Sequence, residues 1–234
     1  MARPDLDPLL LLTRPQAQSE DFLDLCRRGG FDGAALISPV VEILPVAPMP
    51  ALPPGMLIFT SANGVRALGP GQPLDGRRAW AVGGATAAAV RAAGAECRVA
   101  GGDAKALVAQ ILAGPDDGPY LHLRGRHARG DVAAQLRAAG RRADEAVVYD
   151  QQERPLSAPA LAALRGADPV VLPLFSPRSA ALVAAAAGQI RAPLHVVALS
   201  AAVAAAWNGD AGVEIAAAPD AGSMARAVLR RLGA

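Results

Sequence analysis

The sequence contains few of the residues that usually build a metal centre or a disulfide framework. It has two cysteines and three histidines among 234 residues. Cys26 and Cys97 lie far apart in the chain, and the histidines lack the spacing and partners of a zinc site. We therefore expect both cysteines to be buried thiols, and we expect no metal and no cofactor.

Long apolar runs and a strong charge of either sign are also missing. The longest apolar run near the N-terminus, Leu9 to Leu12, is too short for the core of a signal peptide or for a membrane span. The formal net charge is only +2, which argues against a general nucleic-acid binder. We therefore expect a cytoplasmic protein that binds neither membranes nor nucleic acids.

Lysine and the common catalytic motifs are nearly absent as well. Lys105 is the only lysine, and the other basic residues are arginines. A GC-rich genome would explain this bias, although arginine can also grip a carboxylate with two parallel hydrogen bonds. The chain has no Walker sequence, no dinucleotide-binding glycine fingerprint and no serine nucleophile elbow.

Short apolar runs alternate with alanine-rich stretches of helical character. This alternation predicts an α/β protein with parallel sheets, in which continuous apolar strands are covered on both faces. The predicted strands are 9–13, 33–38, 56–60, 79–83, 96–100, 119–124, 169–175, 194–199 and 213–217. The predicted helices include 16–28, 84–93, 104–112, 128–139, 177–187, 200–207 and 221–232.

The chain also contains a weak internal repeat. LIFTSANGV at 57–65 is matched by LFSPRSAA at 174–181, and a second strand and helix follow each of them. The unit that starts at Leu9 resembles the unit that starts at Tyr120, because each has an arginine in the turn after its strand. The C-terminal half has no arginine-turn unit of its own, so we expect the N-terminal one to complete it.

This order of repeats predicts two domains, of which the first is discontinuous. Residues 1–38 plus 153–234 would form one domain, and residues 50–144 would form the other. Residues 39–49 and 145–152 would be the interdomain linker strands, since both are extended, β-branched or proline-bearing segments. Each domain is predicted to be a flavodoxin-like or Rossmann-like lobe, although α/β units of any origin resemble one another.

Small polar residues stand where predicted strands end and helices begin. Ligands of open α/β sheets bind at this edge, where free N–H groups at helix starts attract anions. The candidates are Thr60, Ser61, Asn63, Gly83, Gly84 and Thr86, and in the other repeat Ser176, Ser179 and Ser200. Ordinary helix capping explains any one of them. A matched set in both repeats, with Arg14 and Arg124 in homologous turns, favours a polyanion bound in a cleft.

One tyrosine and two histidines offer further polar groups. Tyr149 lies in a linker strand, where its phenol could donate a proton or a hydrogen bond, or could pack at a hinge. His122 and His195 lie in predicted strands, so we expect core or sheet-face roles for them.

Six motifs follow one another in a specific order along the chain. They are LLLTRP at 10–15, IFTSANGV at 58–65, AVGGATAAAVRAAG at 81–94, LRG at 123–125, VVYD at 147–150 and FSPRSA at 175–180. Together they resemble the uroporphyrinogen-III synthase family, over essentially the whole chain. The resemblance implies two α/β domains joined by a two-stranded linker, the first domain being discontinuous.

The sequence departs from the family at three turns. Ala62 and Gly84 stand where the family usually has proline, and LSAAVA at 199–204 replaces a GPTTA-like segment. Ala201 can therefore bind substrate only through its backbone.

The resemblance implies a hydro-lyase and cyclase of haem and tetrapyrrole biosynthesis. Its substrate would be hydroxymethylbilane, a linear tetrapyrrole with eight carboxylates, and its product uroporphyrinogen III. Water is lost, and ring D is inverted through a spiro intermediate. The enzyme would direct this ring closure mainly by holding the substrate in position, and backbone amides, hydroxyls and arginines can do this by binding its carboxylates. Tyr149 matches the family's tyrosine and would be catalytic, while Gly125 of the LRG motif would bind substrate.

The resemblance also implies a monomer that makes transient contact with the upstream hydroxymethylbilane synthase.

Two other interpretations would explain the two α/β lobes and the polar strand ends. One is a hinged two-lobe binding protein or sensor for a small polyanion, and the other is a phosphosugar enzyme.

Overall fold

A computed structural model describes residues 7–69, 71–127, 130–209 and 211–234. The chain divides into two compact units: unit 1 comprises Met1–Glu42 with Glu153–Ala234, and unit 2 comprises Ile43–Gln152. In chain order the elements are β1 (Leu9–Leu12), α1 (Gln16–Arg28), β2 (Ala35–Ile37), β3 (Val41–Pro45), β4 (Met56–Phe59), α2 (Ala62–Leu68), β5 (Arg78–Ala81), α3 (Gly84–Ala92), β6 (Glu96–Val99), α4 (Ala104–Ala113), β7 (Tyr120–Gly125), α5 (Val132–Ala138), β8 (Ala143–Glu153), α6 (Ala158–Arg165), β9 (Val170–Leu174), α7 (Pro177–Ala187), β10 (Leu194–Ala198), α8 (Ala201–Ala206), β11 (Val213–Ile215) and α9 (Ala221–Leu232).

Unit 1 is built on a parallel sheet with the strand order β11-β10-β9-β1-β2. The N-terminal strand β1 therefore lies inside the sheet, between β2 and β9; β1 and β2 come from the N-terminal segment, and the other three strands come from the C-terminal part of the chain. Helices α1 and α9 cover one face, where Phe22, Cys26 and Met224 pack against Leu10 and Leu12. This burial explains why β1 is a continuous run of leucine.

Unit 2 is built on a sheet with the strand order β3-β8-β7-β4-β5-β6. Strands β4 to β8 are parallel. Strand β3 runs antiparallel to β8, because Val46 N donates to Val148 O and Arg154 N donates to Val40 O. Helices α2 and α3 cover one face of the sheet, and α4 and α5 cover the other.

The internal repeat corresponds to one shared topology. Starting from the arginine-turn unit, the five parallel strands of unit 2 lie in the order β8-β7-β4-β5-β6, and those of unit 1 lie in the order β2-β1-β9-β10-β11. Unit 1 has the flavodoxin-like order, and unit 2 has a circular permutation of it, so β7 in unit 2 occupies the position of β1 in unit 1. The prediction of an α/β fold with parallel sheets is confirmed.

Several sequence predictions differ from the structure in detail. The helix predicted at 128–139 begins only at Val132, because Gly130 has a φ of 80° that a right-handed helix excludes; residues 128 and 129 lie outside the described residues. Helix α6 was not predicted, and its Pro159 falls in the first turn, where proline is tolerated. Cys26 is buried as expected, but Cys97 is only partly buried because β6 is an edge strand. No helix of the described residues is long and apolar enough to cross a membrane.

The two units provide a direct test of the proposal that they are separate domains. The segment 43–152 contains four of the six strands of its sheet in full and most of β3 and β8, so we expect it to fold alone with a cooperative urea transition reported by Trp80 fluorescence. The segment 153–234 lacks the interior strand β1 and its neighbour β2, so we expect it to show no cooperative transition when Trp207 is followed. Cooperative folding of 153–234 without residues 1–42 would contradict the proposal.

Candidate active site

Each sheet has one place where neighbouring strands send their helices to opposite faces. In unit 2 these strands are β4 and β7, because α2 packs on one face and α5 on the other. In unit 1 they are β1 and β9, because α1 packs with α9 while the buried α7 residues Ala180 and Val183 lie outside that cluster. Such switch points leave a crevice at the carboxyl ends of the strands, where open α/β sheets bind their ligands.

The segment FTSANG forms one side of the switch point of unit 2. Phe59 ends β4 in the core, and the Ser61 hydroxyl oxygen accepts a hydrogen bond from Asn63 N at 3.2 Å, which caps α2. A Cβ added to Gly64 would lie 3.1 Å from Leu123 O of β7. The glycine thus lets the first turn of α2 lie directly against β7.

Tyr149 lies across the end of β7. The two strands β7 and β8 shift register between Arg124 and Gly125, so Gly125 pairs with Tyr149. A Cβ on Gly125 would lie 2.6 Å from the Tyr149 ring, so only glycine leaves room for it. Tyr149 is 6% exposed, and the side chain of Ser61 lies beside its hydroxyl. Burial raises the pKa of Tyr149 and the neighbouring Ser61 side chain opposes this rise, so the phenol stays protonated at neutral pH.

His122 lies beneath the same strand ends, on the opposite face of the sheet from Tyr149. Its Nε2 is 3.1 Å from Thr60 Oγ1, and its side chain is 1% exposed. Burial lowers the pKa of His122 to about 4, while nearby Glu145 raises it and Arg124 lowers it. The imidazole is therefore neutral near pH 7. The expected core role of His122 is correct, whereas His195 is exposed in β10.

Arg124 binds a carboxylate of the chain itself. Its Nη2 lies 2.7 Å from Glu145 Oε1, and its Nη1 donates to Gly125 O at 3.0 Å. The guanidinium lowers the pKa of Glu145, which stays ionised. A substrate carboxylate would have to share this arginine with Glu145.

In unit 1 the switch point joins an arginine to an aromatic pair. The Arg14 guanidinium carbon lies 4.0 Å from the centre of the Phe175 ring, and Phe22 meets that ring edge-on at 4.8 Å. The Ser176 hydroxyl oxygen accepts from Ser179 N at 3.1 Å and donates to Ser179 Oγ at 2.9 Å. Helix capping is thus the visible role of the Ser176 hydroxyl, as it is for Ser61.

The remaining predicted residues lie on the neighbouring strand ends. Gly83 and Gly84 begin α3, and a Cβ on either would meet no atom within 4 Å. Asn63 and Thr86 are each 7% exposed, so a ligand can reach little of their side chains. Ser200 precedes α8 without a capping bond from its side chain, and Ala201 is the exposed first residue of that helix.

The structure groups the predicted site residues within each unit. In unit 1 it brings Arg14 together with Ser176 at one switch point. In unit 2 it brings together Thr60, Ser61, Gly125 and Tyr149.

Two residues at these strand ends were not among the predicted site residues, namely His122 and Phe175. His122 precedes Arg124 by two positions in one strand, so the two-residue period of β-structure could have placed them on one face. Within the described residues, no group of three or more His, Cys, Asp or Glu side chains could hold a metal ion.

Comparisons with known proteins agree with this geometry. A family model described as uroporphyrinogen-III synthase HemD matches residues 20–226. The fold is similar to a uroporphyrinogen-III synthetase from Helicobacter pylori, with a TM-score of 0.67 and 16% identity over 97% of this chain and 100% of the other. It is also similar to a mutant uroporphyrinogen III synthase from the extremely thermophilic bacterium Thermus thermophilus, with a TM-score of 0.52 and 18% identity over 96% of this chain and 99% of the other. No curated protein sequence matches the chain.

The matched region contains five of the six sequence motifs and both segments of the Tyr149 site. It covers most of unit 1 and all of unit 2. The chain belongs to the uroporphyrinogen-III synthase family.

Proposed function

We propose that this chain converts hydroxymethylbilane to uroporphyrinogen III, and that Tyr149 and the strand ends around it carry the reaction. The observation that supports this most directly is the Tyr149 phenol, which lies over Gly125 and beside Ser61 at the switch point of unit 2. Family membership favours this activity over a two-lobe binding protein or a phosphosugar enzyme.

The chemistry needs a group that assists the departure of the terminal hydroxyl of the substrate. A phenol with a raised pKa is a weak acid, so it would not protonate the intact hydroxyl in advance. As the C–O bond breaks, the departing oxygen becomes more basic than a phenolate, so the phenol proton passes to it and water leaves. The pyrrole N–H proton that the substrate loses in this elimination restores the phenol. We assign this donation to the Tyr149 hydroxyl, beside which Ser61 lies.

The remaining task is to hold the linear chain so that ring D closes in the inverted sense. In unit 2 the N–H groups that begin α2 and α3, together with Thr60, would bind carboxylates of the substrate. In unit 1 we assign the same role to Arg14, whose guanidinium is held by Phe175, and to the N–H groups that begin α7. Positioning of this kind lowers the entropy cost of closure without a strong nucleophile.

The experiment that tests the activity is an incubation of the protein with hydroxymethylbilane, followed by oxidation and separation of the porphyrin isomers. We expect the type III isomer, because closure without the enzyme gives the type I isomer. A protein that leaves the spontaneous type I product unchanged would contradict the proposed function.

Removal of the Tyr149 hydroxyl tests the catalytic assignment. We expect Tyr149→Phe to lower kcat by about 10- to 100-fold, since a hydrogen bond to a charged group contributes about 1.5–3 kcal/mol. The product that still forms enzymatically should remain type III, because the carboxylate-binding groups are unchanged. Tyr120→Phe is the matched control: it removes the other tyrosine hydroxyl of the chain, which accepts from Asp117 N at the far end of β7. A fully active Tyr149→Phe would remove this residue from the mechanism.

A methyl group at Gly125 tests the placement of the tyrosine ring. Gly125→Ala would put its Cβ 2.6 Å from the Tyr149 ring, so the ring must move away from the strand end. We expect a loss of kcat similar to that of Tyr149→Phe, with the two changes far from additive when combined. Gly212→Ala is the control, because a Cβ there meets nothing within 4 Å and its φ is not positive. An unchanged kcat in Gly125→Ala would show that the ring position does not matter.

A further inference from the structure

His122 is a buried polar side chain to which the reaction described above assigns no role. It lies in the middle of β7, on the face that α4 and α5 cover, and it is 1% exposed. Its Nε2 lies 3.1 Å from Thr60 Oγ1, but within the described part of the chain its Nδ1 has no hydrogen-bond partner. A buried polar atom without a partner lowers stability, so an apolar residue would suit the fold better at this position.

The surroundings of the ring determine which nitrogen carries the hydrogen. A hydrogen on Nδ1 would leave a buried N–H donor without an acceptor, and such donors are rare in folded proteins. A hydrogen on Nε2 leaves only a bare lone pair at Nδ1 and makes Nε2 the donor to Thr60 Oγ1. Protonation of both nitrogens is excluded near pH 7, because burial lowers the pKa of His122 to about 4.

The charged groups beside the ring act against one another. Arg124 and Glu145 form an ion pair of 2.7 Å, and their effects on the charge of His122 have opposite signs. Within the described residues these are the two charged groups that influence the ring. The ring is therefore a neutral, fixed hydrogen-bond donor in a dry environment, where such a bond is strong.

The fixed donor on His122 determines the hydrogen-bonding role of the Thr60 hydroxyl. This residue follows the last position of β4 at the switch point of unit 2, and it is partly exposed. A threonine hydroxyl has one hydrogen to donate and two lone pairs to accept. When His122 fills a lone pair from inside the sheet, the hydroxyl acts as a donor on its exposed side.

We propose that His122 is a positioning residue that donates through Nε2 to Thr60 Oγ1 and so commits the Thr60 hydroxyl to donate to a carboxylate of the substrate. The inference rests on the proposed function, because the carboxylate is one of those on hydroxymethylbilane. It explains why a polar ring occupies the core of unit 2: the ring specifies the direction of a binding group.

The replacement His122→Leu separates this role from a structural one. Loss of the donor frees the Thr60 hydroxyl to rotate, so we expect KM for hydroxymethylbilane to rise about fivefold, as for one neutral hydrogen bond. We expect kcat to change little, and the Tm followed by Trp80 fluorescence to stay the same or rise. Tyr120→Phe is the matched control on β7: loss of its bond from Asp117 N should lower Tm and leave KM unchanged.

A double-mutant cycle with Thr60→Val tests whether the effect passes through the threonine. Thr60→Val keeps the shape and removes the hydroxyl, and we expect a rise in KM of about tenfold or more, as for a hydrogen bond to a charged carboxylate. In the Thr60→Val protein, the added change His122→Leu should have no further effect on KM.

The single variant His122→Gln, with Thr60 intact, can still donate an N–H to the Thr60 hydroxyl. We therefore expect its KM to be close to that of the unmodified protein and lower than that of His122→Leu.

Imidazole nitrogen NMR of the unmodified protein measures the tautomer directly, and we expect the Nε2–H form. Detection of the Nδ1–H form would overturn the inference even in a fully active enzyme. This measurement needs no variant, so it does not depend on whether a variant folds. A His122→Leu protein with a lowered Tm and an unchanged KM would also overturn it. Failure of the proposed function would be recognised separately, because the unmodified protein would then yield no type III isomer.

Discussion

Two parallel strands that lie side by side but are far apart in the chain set the geometry of each unit. In unit 2, β7 enters the sheet beside β4 after two further strands have been added on the other side, so α2 and α5 must pack on opposite faces. The strand ends are thereby left uncovered, and the helix that starts there presents N–H groups without partners. Unit 1 meets the same constraint with β1 beside β9, where the two strands come from opposite ends of the chain.

Close packing rather than charge places the polar groups at these strand ends. Gly64 lets α2 approach β7, and Gly125 leaves room for the Tyr149 ring against the strand, beside Ser61. Arg14 is held against Phe175 by the face of an aromatic ring. In each unit, amides and hydroxyls, with a stacked arginine in unit 1, suit a substrate with many carboxylates, since each contributes a donor without adding a reactive nucleophile.

Unit 2 retains polar groups that stabilise it little. In its core His122 has a ring nitrogen without a partner among the described residues, and nearer the surface Arg124 and Glu145 form a partly exposed pair that contributes little to folding. Binding groups are commonly maintained at the expense of stability in this way. The polar groups of unit 2 lie on both faces of the sheet: Tyr149 lies on the face that α2 covers, and the His122–Thr60 hydrogen bond lies on the face that α5 covers.

Local sequence determined the elements and their class. Helices α1, α7 and α9 begin and end where the apolar periodicity and the capping residues indicate, and the β1 and β9 runs read directly as buried parallel strands. The repeat order also indicated that the N-terminal strand joins the C-terminal sheet. Tertiary structure alone decided which polar side chains are committed elsewhere. The pairing of Arg124 with Glu145 and the contact of His122 with Thr60 depend on strand register, whereas the capping by Ser61 and Ser176 is local and was already an alternative at the level of sequence. Register is fixed by packing across the whole sheet, which no short stretch of sequence encodes.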